Sequence, residues 1–235
     1  MNRRGLNGNQ LKLIAVVAML FDHIGYRFVE DGILLELLRT IGRVAFPVFC
    51  FLLVEGFFHT RSRRNYALRL AAFAVISEIP FDLMSADQWV YWSVQNVFFT
   101  LLLGVLMLEV LDRIAANAPV RQRLVWQLLA VLVCSLIAWL VKCDYDYTGI
   151  MLIAMLYLFR YDRKQACLLG FLWVGVMESS LGRVPGVAAS FWLISQYNGE
   201  RGRTAGTRTE KYFFYLFYPA HILMLYLIDR MMVMV

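Results

Sequence analysis

Apolar runs recur along the whole length of the chain, and they constrain its fold more than any other feature. Several reach the roughly 20 residues that a helix needs to cross a hydrocarbon core about 30 Å thick. Of the 235 residues, 60% are hydrophobic and only 17% are charged, with a mean hydropathy of +0.60. A soluble domain of this length needs far more polar surface. We therefore predict an all-α polytopic membrane protein that forms a single domain over residues 1–235.

The apolar runs predict about nine transmembrane helices (range 8–10), of which the sixth and eighth are short enough to be re-entrant or broken. Their predicted ranges are 10–29, 36–59, 66–84, 93–114, 122–141, 147–160, 164–181, 186–197 and 212–234.

The basic residues predict the orientation of these helices. If the N-terminus is cytoplasmic, the cytoplasmic segments hold 17 of the 23 Lys and Arg residues, as the positive-inside rule requires. We therefore expect the N-terminus on the cytoplasmic side of the membrane. The net charge of +6 is explained by short basic loops facing an anionic leaflet, so we expect a lipid bilayer and no nucleic acid as partner. The four cysteines lack metal-like spacing, and we expect no metal.

Many polar side chains fall at membrane depth, where ionisable groups cost roughly 2.5–3.5 kcal/mol each and usually face an internal cavity. With the predicted orientation they form two zones. The outer half holds Asp22, His23, Arg43, Glu78, Asp82, Gln95, Asn96, Asp144, Asp146 and Glu178. The inner half holds Lys12, Glu55, His59, Tyr66 and Arg69, above a basic loop from Asn198 to Arg203 that includes Arg201. His221 lies near the middle of the last helix. The two zones could meet through the protein.

Several of these residues have simpler explanations. Arg43 could form a structural ion pair with Glu78 or Asp82, and this is as good an account of it as a catalytic role. Asp144 and Asp146 are most simply solvated loop residues.

Glu55 and His59, four residues apart, could be an interfacial pair, and His221 could be a site residue or a hydrogen-bonded packing histidine. His23 is a poor choice for a lipid-facing position. It lies 11 residues from Lys12, about three helical turns or ~16 Å along the axis, so both belong to one helix stripe.

Six segments together resemble the TraX family of membrane proteins. They are LKLIAVVAMLFDHIG (11–25), IGRVAFPVFCFLLVEGFFHTRS (41–62), RLAAFAVISEIPFDLM (69–84), QNVFFTLLLG (95–104), YNGERG (197–202) and KYFFYLFYPAHILMLYLI (211–228). The resemblance runs from the first helix to the last. It implies kinship with the transmembrane acyltransferases, in which a basic residue on the first helix precedes a histidine by 11 positions. Lys12 and His23 repeat that spacing, with Lys in place of the usual Arg.

This resemblance implies transfer of an acetyl group from cytosolic acetyl-CoA to an amine or hydroxyl at the outer side, the acceptor being a pilin, another peptide amine or a glycan. His23 would be the general base, oriented by Glu78 or Asp82, with Asp22 on the substrate side. Arg43 or Asn96 would stabilise the oxyanion, and His221 would be a second site residue. The donor would be bound by Lys12, Glu55, His59, Arg69, Asn198, Arg201, Arg203 and Tyr218.

Two other classes of function compete with the enzyme. Buried carboxylates and histidines also build the proton relays of secondary transporters, although the sequence shows no repeat between its halves. A non-catalytic membrane assembly factor that docks pilin needs no intact His23.

Overall fold

The computed structural model describes residues 5–202 and 207–233, with the side chains of 208–211 left out. Over these residues the chain forms ten α-helices and one 3₁₀ turn, which agrees with the predicted all-α class. The helices are α1 (Gly8–Phe28), α2 (Ile33–Gly42), α3 (Ala45–His59), α4 (Arg63–Ala86), α5 (Val97–Asn117), α6 (Val120–Val141), α7 (Asp146–Leu158), α8 (Arg163–Met177), α9 (Val184–Ser195) and α10 (Arg208–Val233), with the 3₁₀ turn at Leu181–Arg183.

The predicted second helix, 36–59, lies within one candidate membrane span, Ile33–His59, which a short turn divides into two helices. α2 ends at Gly42 and α3 begins at Ala45, with Arg43 and Val44 in a turn between them. Pro47 explains the position of the break. A proline has no N–H for the carbonyl four residues before it, and its ring clashes with that carbonyl, which here belongs to Arg43. The proline itself lies in the first turn of α3, where a missing N–H costs nothing.

Three other predicted boundaries shift because polar side chains lie at the helix ends. α5 begins at Val97 and not at residue 93, since Asn96 is its N-cap and accepts a hydrogen bond from the Phe98 amide. α8 ends at Met177, so Glu178 lies beyond the helix that was predicted to contain it. α9 ends at Ser195. The predicted short helices, the sixth and eighth, correspond to α7 with 13 residues and α9 with 12.

The outer surface of the bundle is apolar. Within residues 5–202 and 207–233, three helical segments are long and apolar enough to cross a membrane: Ile33–His59, Val120–Val141 and Tyr212–Val233. α6 shows this most clearly, because Leu124, Leu132 and Leu140 are each more than 60% exposed. A soluble protein rarely exposes so large a continuous apolar face, whereas a bilayer solvates it.

Two contacts fix the ends of the helices around α1. At its start, the chain pairs with the loop after α9, where the amide of Leu6 donates to the carbonyl of Gln196 at 2.8 Å and that of Gly8 to Glu200 at 2.8 Å. At its end, Arg27 donates to Asp229 of α10 and to Asp87, the C-cap of α4. α1 and α4 therefore hold α10 between them.

Candidate active site

A cavity of about 450 Å³, with both apolar and polar lining residues, lies inside the helical bundle. Helices α1, α3, α4, α5 and α10 form its walls, together with the α6–α7 connection and the loop after α9. Its polar lining includes Lys12, Asp22, His23, Glu55, His59, Arg61, Tyr66, Arg69, Asp144, Tyr145, Tyr197, Arg201, Tyr215 and Tyr218. The cavity therefore takes in residues of both zones that the sequence places at membrane depth.

One stripe of α1 runs along the whole cavity. Gly8, Lys12, Met19, Asp22 and His23 all line it, and at 1.5 Å per residue the stripe spans ~22 Å. The predicted common face of Lys12 and His23 is confirmed, with the two side chains near opposite ends of this stripe. α3 supplies the facing wall, largely apolar, from Ala45 to His59.

The cationic end of the cavity is formed by Lys12, Arg69 and Arg201. The Lys12 ammonium lies 5.1 Å from the centroid of the Phe214 ring, and Arg69 hydrogen-bonds to Tyr215. Arg201 lies in the loop that pairs with the start of α1. Three cations from three different parts of the chain thus face one region, next to the positive end of the α1 dipole.

A carboxylate and a histidine from the same inner zone also lie at the cationic end. Glu55 lines the cavity and hydrogen-bonds to Tyr197. The Nδ1 atom of His59 lies 2.8 Å from the Glu55 carbonyl oxygen. His59 therefore contacts the backbone carbonyl of Glu55, whereas the Glu55 carboxylate hydrogen-bonds to Tyr197.

The histidine end of the cavity is built around His23. Its Nδ1 atom lies 2.7 Å from Nε2 of His221 on α10, and the Tyr218 ring contacts it edge-on at 6.3 Å between centroids. Asp22 accepts a hydrogen bond of 2.8 Å from Arg39. A side chain at residue 42 would overlap the Asp22 carboxyl group, so α1 and α2 can approach this closely only because residue 42 is glycine.

The α6–α7 connection contributes two residues to the histidine end that sequence reasoning had treated as solvated or had not singled out. Asp144 and Tyr145 line the cavity, and the Tyr145 ring stacks on Phe46 with centroids 3.5 Å apart. Lys142, Tyr145 and Asp146 all have positive φ angles, a strained arrangement for non-glycine residues that concentrates at functional sites. The prediction that Asp144 is a solvated loop residue was wrong. Its enclosure raises its pKa to about 6.

Glu78, Asp82 and Asn96, which were predicted to orient His23 or to bind the oxyanion, hydrogen-bond to one another or to the backbone. Asn96 is fully buried and donates to Glu78 and to the carbonyl of Ala74, the latter at 2.8 Å. Asp82 accepts a 2.9 Å bond from the amide of Tyr91 and so fixes the loop after α4. Asn96 joins the start of α5 to α4, and His221 is the hydrogen-bond partner of His23 in place of Glu78 or Asp82.

The predicted pairing of Arg43 with Glu78 or Asp82 was also wrong. Arg43 Nε lies 2.6 Å from Glu178 Oε2, because the break between α2 and α3 turns Arg43 towards the end of α8. Glu178 was identified only as one of many residues at membrane depth.

The remaining predicted donor residues divide between the two ends and the loop. Tyr218 lines the cavity beside His23 and not at the cationic end. Asn198 organises the loop after α9, since its side chain accepts from the amide of Glu200 at 2.9 Å. Arg203 lies outside the described residues.

Over the residues that the structure describes, these features define a helical membrane protein whose bundle holds a cavity with cations at one end and His23, paired with His221, at the other. The chain belongs to the TraX protein family, whose sequence model matches residues 7–229. The resemblance inferred from six segments is therefore confirmed over nearly the whole chain.

Relatives of this chain include the following two proteins. One is the probable fimbrial assembly protein FimC, serogroup H1, of Dichelobacter nodosus, which is 36% identical over 236 residues, covering 92% of this chain and 93% of that protein. The other is the uncharacterized protein RP591 of Rickettsia prowazekii (strain Madrid E), 49% identical over 48 residues, which cover 20% of this chain and 18% of that protein. No solved structure matches the chain.

Proposed function

We propose that this protein is an acetyltransferase of the bacterial cytoplasmic membrane that moves an acetyl group from cytosolic acetyl-CoA to an amine or hydroxyl acceptor reached from the outer side. One observation carries the proposal: the same cavity is lined by the cations Lys12, Arg69 and Arg201 at one end and by His23 at the other. A transferase that takes its donor from one side of the membrane and its acceptor from the other needs such a passage.

The cavity suits the two chemically different parts of acetyl-CoA. The phosphates need cations, and Lys12, Arg69 and Arg201 supply them. The pantetheine arm is flexible and mostly apolar, and the α3 wall offers Phe49 and Leu52 along its path. A lysine at residue 12 acts as a point charge and not as a bidentate fork, so Arg69 and Arg201 supply the planar donors.

At the other end, His23 acts as the general base. The acceptor nitrogen or oxygen forms a bond to the acetyl carbonyl carbon while the carbon–sulfur bond breaks. The acceptor's proton passes to the imidazole of His23 and from there to the departing sulfur, which leaves as the CoA thiol. Asp22 and Asp144 lie at the same end and are placed to orient the acceptor.

The similarity to a probable fimbrial assembly protein supports a fimbrial subunit as acceptor. With the N-terminus cytoplasmic, the histidine end of the cavity would face the outer side, where a fimbrial subunit could reach it.

The test measures transfer in membranes of cells that make a co-expressed fimbrial subunit together with wild type, His23→Ala or Met224→Leu. The last is a matched control, because Met224 is half exposed on the outer face of α10. With acetyl-CoA labelled in its acetyl group, we expect label in the subunit for wild type and Met224→Leu. His23→Ala should lose ~10²–10⁴-fold in rate while its amount in the membrane is unchanged. Equal labelling by His23→Ala would contradict the mechanism.

A second candidate is a fimbrial assembly factor that binds the subunit without chemistry, which the name of the Dichelobacter relative favours. In that case fimbriae assemble normally with His23→Ala. Under the acetyltransferase proposal the same variant yields subunits lacking the acetyl group, which mass spectrometry detects.

A further inference from the structure

We propose that His221 is a positioning residue: with the backbone carbonyl of Phe217 it fixes the proton of His23 on Nδ1 and leaves Nε2 as the basic nitrogen. This inference rests on the proposed function for its purpose, since it explains how His23 is prepared as a base. The proton positions themselves follow from contacts that exist whether or not the chain is an enzyme.

The backbone carbonyl oxygen of Phe217 can only accept a hydrogen bond. The Nδ1 atom of His221 lies 2.6 Å from the carbonyl oxygen of Phe217, one turn earlier on α10. A carbonyl oxygen has no hydrogen to give, so Nδ1 of His221 carries the proton. A neutral imidazole has one N–H, and therefore Nε2 of His221 presents a lone pair.

That lone pair determines which ring nitrogen of His23 carries the proton. Nε2 of His221 lies 2.7 Å from Nδ1 of His23, and the two rings are nearly parallel, with an angle of 15° between their planes. Since Nε2 of His221 accepts, Nδ1 of His23 must donate. The second nitrogen of His23, Nε2, is then unprotonated and able to take a proton from an acceptor.

Packing holds this arrangement in place. His221 is only 3% exposed. The Phe217 ring stacks on it at 4.7 Å and the Tyr218 ring meets it edge-on at 5.9 Å. His23 lines the cavity in front of it. A histidine with only a packing role would need no more than the bond from its Nδ1 atom to the Phe217 carbonyl. In His221, however, Nε2 also hydrogen-bonds to His23, which lines the cavity.

An uncharged hydrogen-bond partner for His23 also suits a site at membrane depth. The more usual partner of a catalytic imidazole is a carboxylate, which would place a further charge beside His23 at membrane depth. The carbonyl of Phe217 orients the same proton without that charge. The carboxylates of Asp22, Glu78 and Asp82 accept hydrogen bonds from Arg39, Asn96 and Tyr91 and not from His23.

Nitrogen NMR of the purified chain, labelled only in its histidine rings, tests the proton positions directly. The sequence contains three histidines, so single substitutions assign every signal. We expect His23 to be protonated at Nδ1 in wild type, and to lose this preference in His221→Leu. A proton on Nε2 of His23 in wild type would overturn the inference, as would an unchanged tautomer in His221→Leu.

Transfer kinetics test the role. His221→Leu should lower kcat about 100-fold with an unchanged KM for acetyl-CoA, because His221 touches neither substrate. His221→Gln offers a side-chain carbonyl to the same nitrogen and should restore part of the loss, and Met224→Leu should behave as wild type. Full activity of His221→Leu would overturn the positioning role. If wild type shows the Nδ1 tautomer but no transfer, the proposed function fails and the tautomer assignment stands.

Discussion

Replacing Arg27 by alanine should loosen the helix that carries the histidine partner. Arg27 donates from Nε and Nη2 to Asp229 at 2.9 and 2.6 Å, from Nη2 to Asp87 at 3.0 Å, and from Nη1 to the carbonyl of Met84 at 3.2 Å. The Arg27 and Asp229 side chains are only 14% and 20% exposed. These bonds tie the ends of α1, α4 and α10 together.

The magnitude follows from burial. Removing one partner of a buried pair costs 3–5 kcal/mol, and partial solvent contact at this rim places Arg27→Ala at the lower limit, about 3 kcal/mol. For a domain of this size, that lowers Tm by roughly 6–12 °C. Arg230→Ala is the matched control. It removes a more exposed cation that also pairs with Asp87, so we expect a much smaller shift.

The assay is thermal unfolding of both variants in the same detergent, followed by intrinsic tryptophan fluorescence. A Tm for Arg27→Ala equal to that of Arg230→Ala would refute the reasoning. The pH dependence gives a second check. Hydrogen bonding to Arg27 lowers the pKa of Asp87 below its ordinary value of 3.8. The contribution of Asp87 to the free energy of unfolding is therefore complete at pH values above 3.8, and it is lost as the pH falls through the lowered pKa. Arg27→Ala should weaken this acid sensitivity.

Three further changes probe the cavity. Asp144→Asn should weaken acceptor binding and remove a rise of transfer with pH centred at about 6, the raised pKa of Asp144; an unchanged pH profile would exclude an ionised Asp144 from the site. Arg69→Gln should raise the KM for acetyl-CoA about tenfold, as expected for one charge-assisted phosphate contact worth ~1.5 kcal/mol, and should leave kcat unchanged; an unaltered KM would remove Arg69 from donor binding. Gly42→Val should displace Asp22 from Arg39 and abolish transfer while the chain still reaches the membrane; normal transfer would show that Asp22 has no role.

Helical periodicity was enough to find the α1 face of the cavity. Lys12 and His23 lie 11 residues apart, so one regular helix places them on one stripe, and nothing beyond local geometry is needed. The break after α2 also had a visible cause in Pro47. Its position, four residues earlier, follows from the carbonyl that the proline ring displaces.

The partners of these residues could not be predicted in the same way. His221 meets His23 only because α10 packs between α1 and α4, and helix packing across 198 residues of chain leaves no local pattern. Asp144 resembled a solvated aspartate because it precedes a helix, where carboxylates are common. Its burial depends on a strained connection that the sequence does not reveal. Glu78 and Arg43 were predicted near His23 only because they lie at a similar membrane depth. Depth does not specify which neighbour a side chain faces.

Photochemical labelling with an acetyl-CoA analogue that carries a diazirine in place of the acetyl group tests the central claim most directly. If one passage joins the cationic end to the histidine end, an analogue bound through its phosphates will place its reactive tip beside His23. We predict saturable labelling of the peptide containing Asp22 and His23, suppressed by acetyl-CoA and weakened by Arg69→Gln. Labelling confined to residues near Arg201, or labelling that acetyl-CoA does not suppress, would contradict the account.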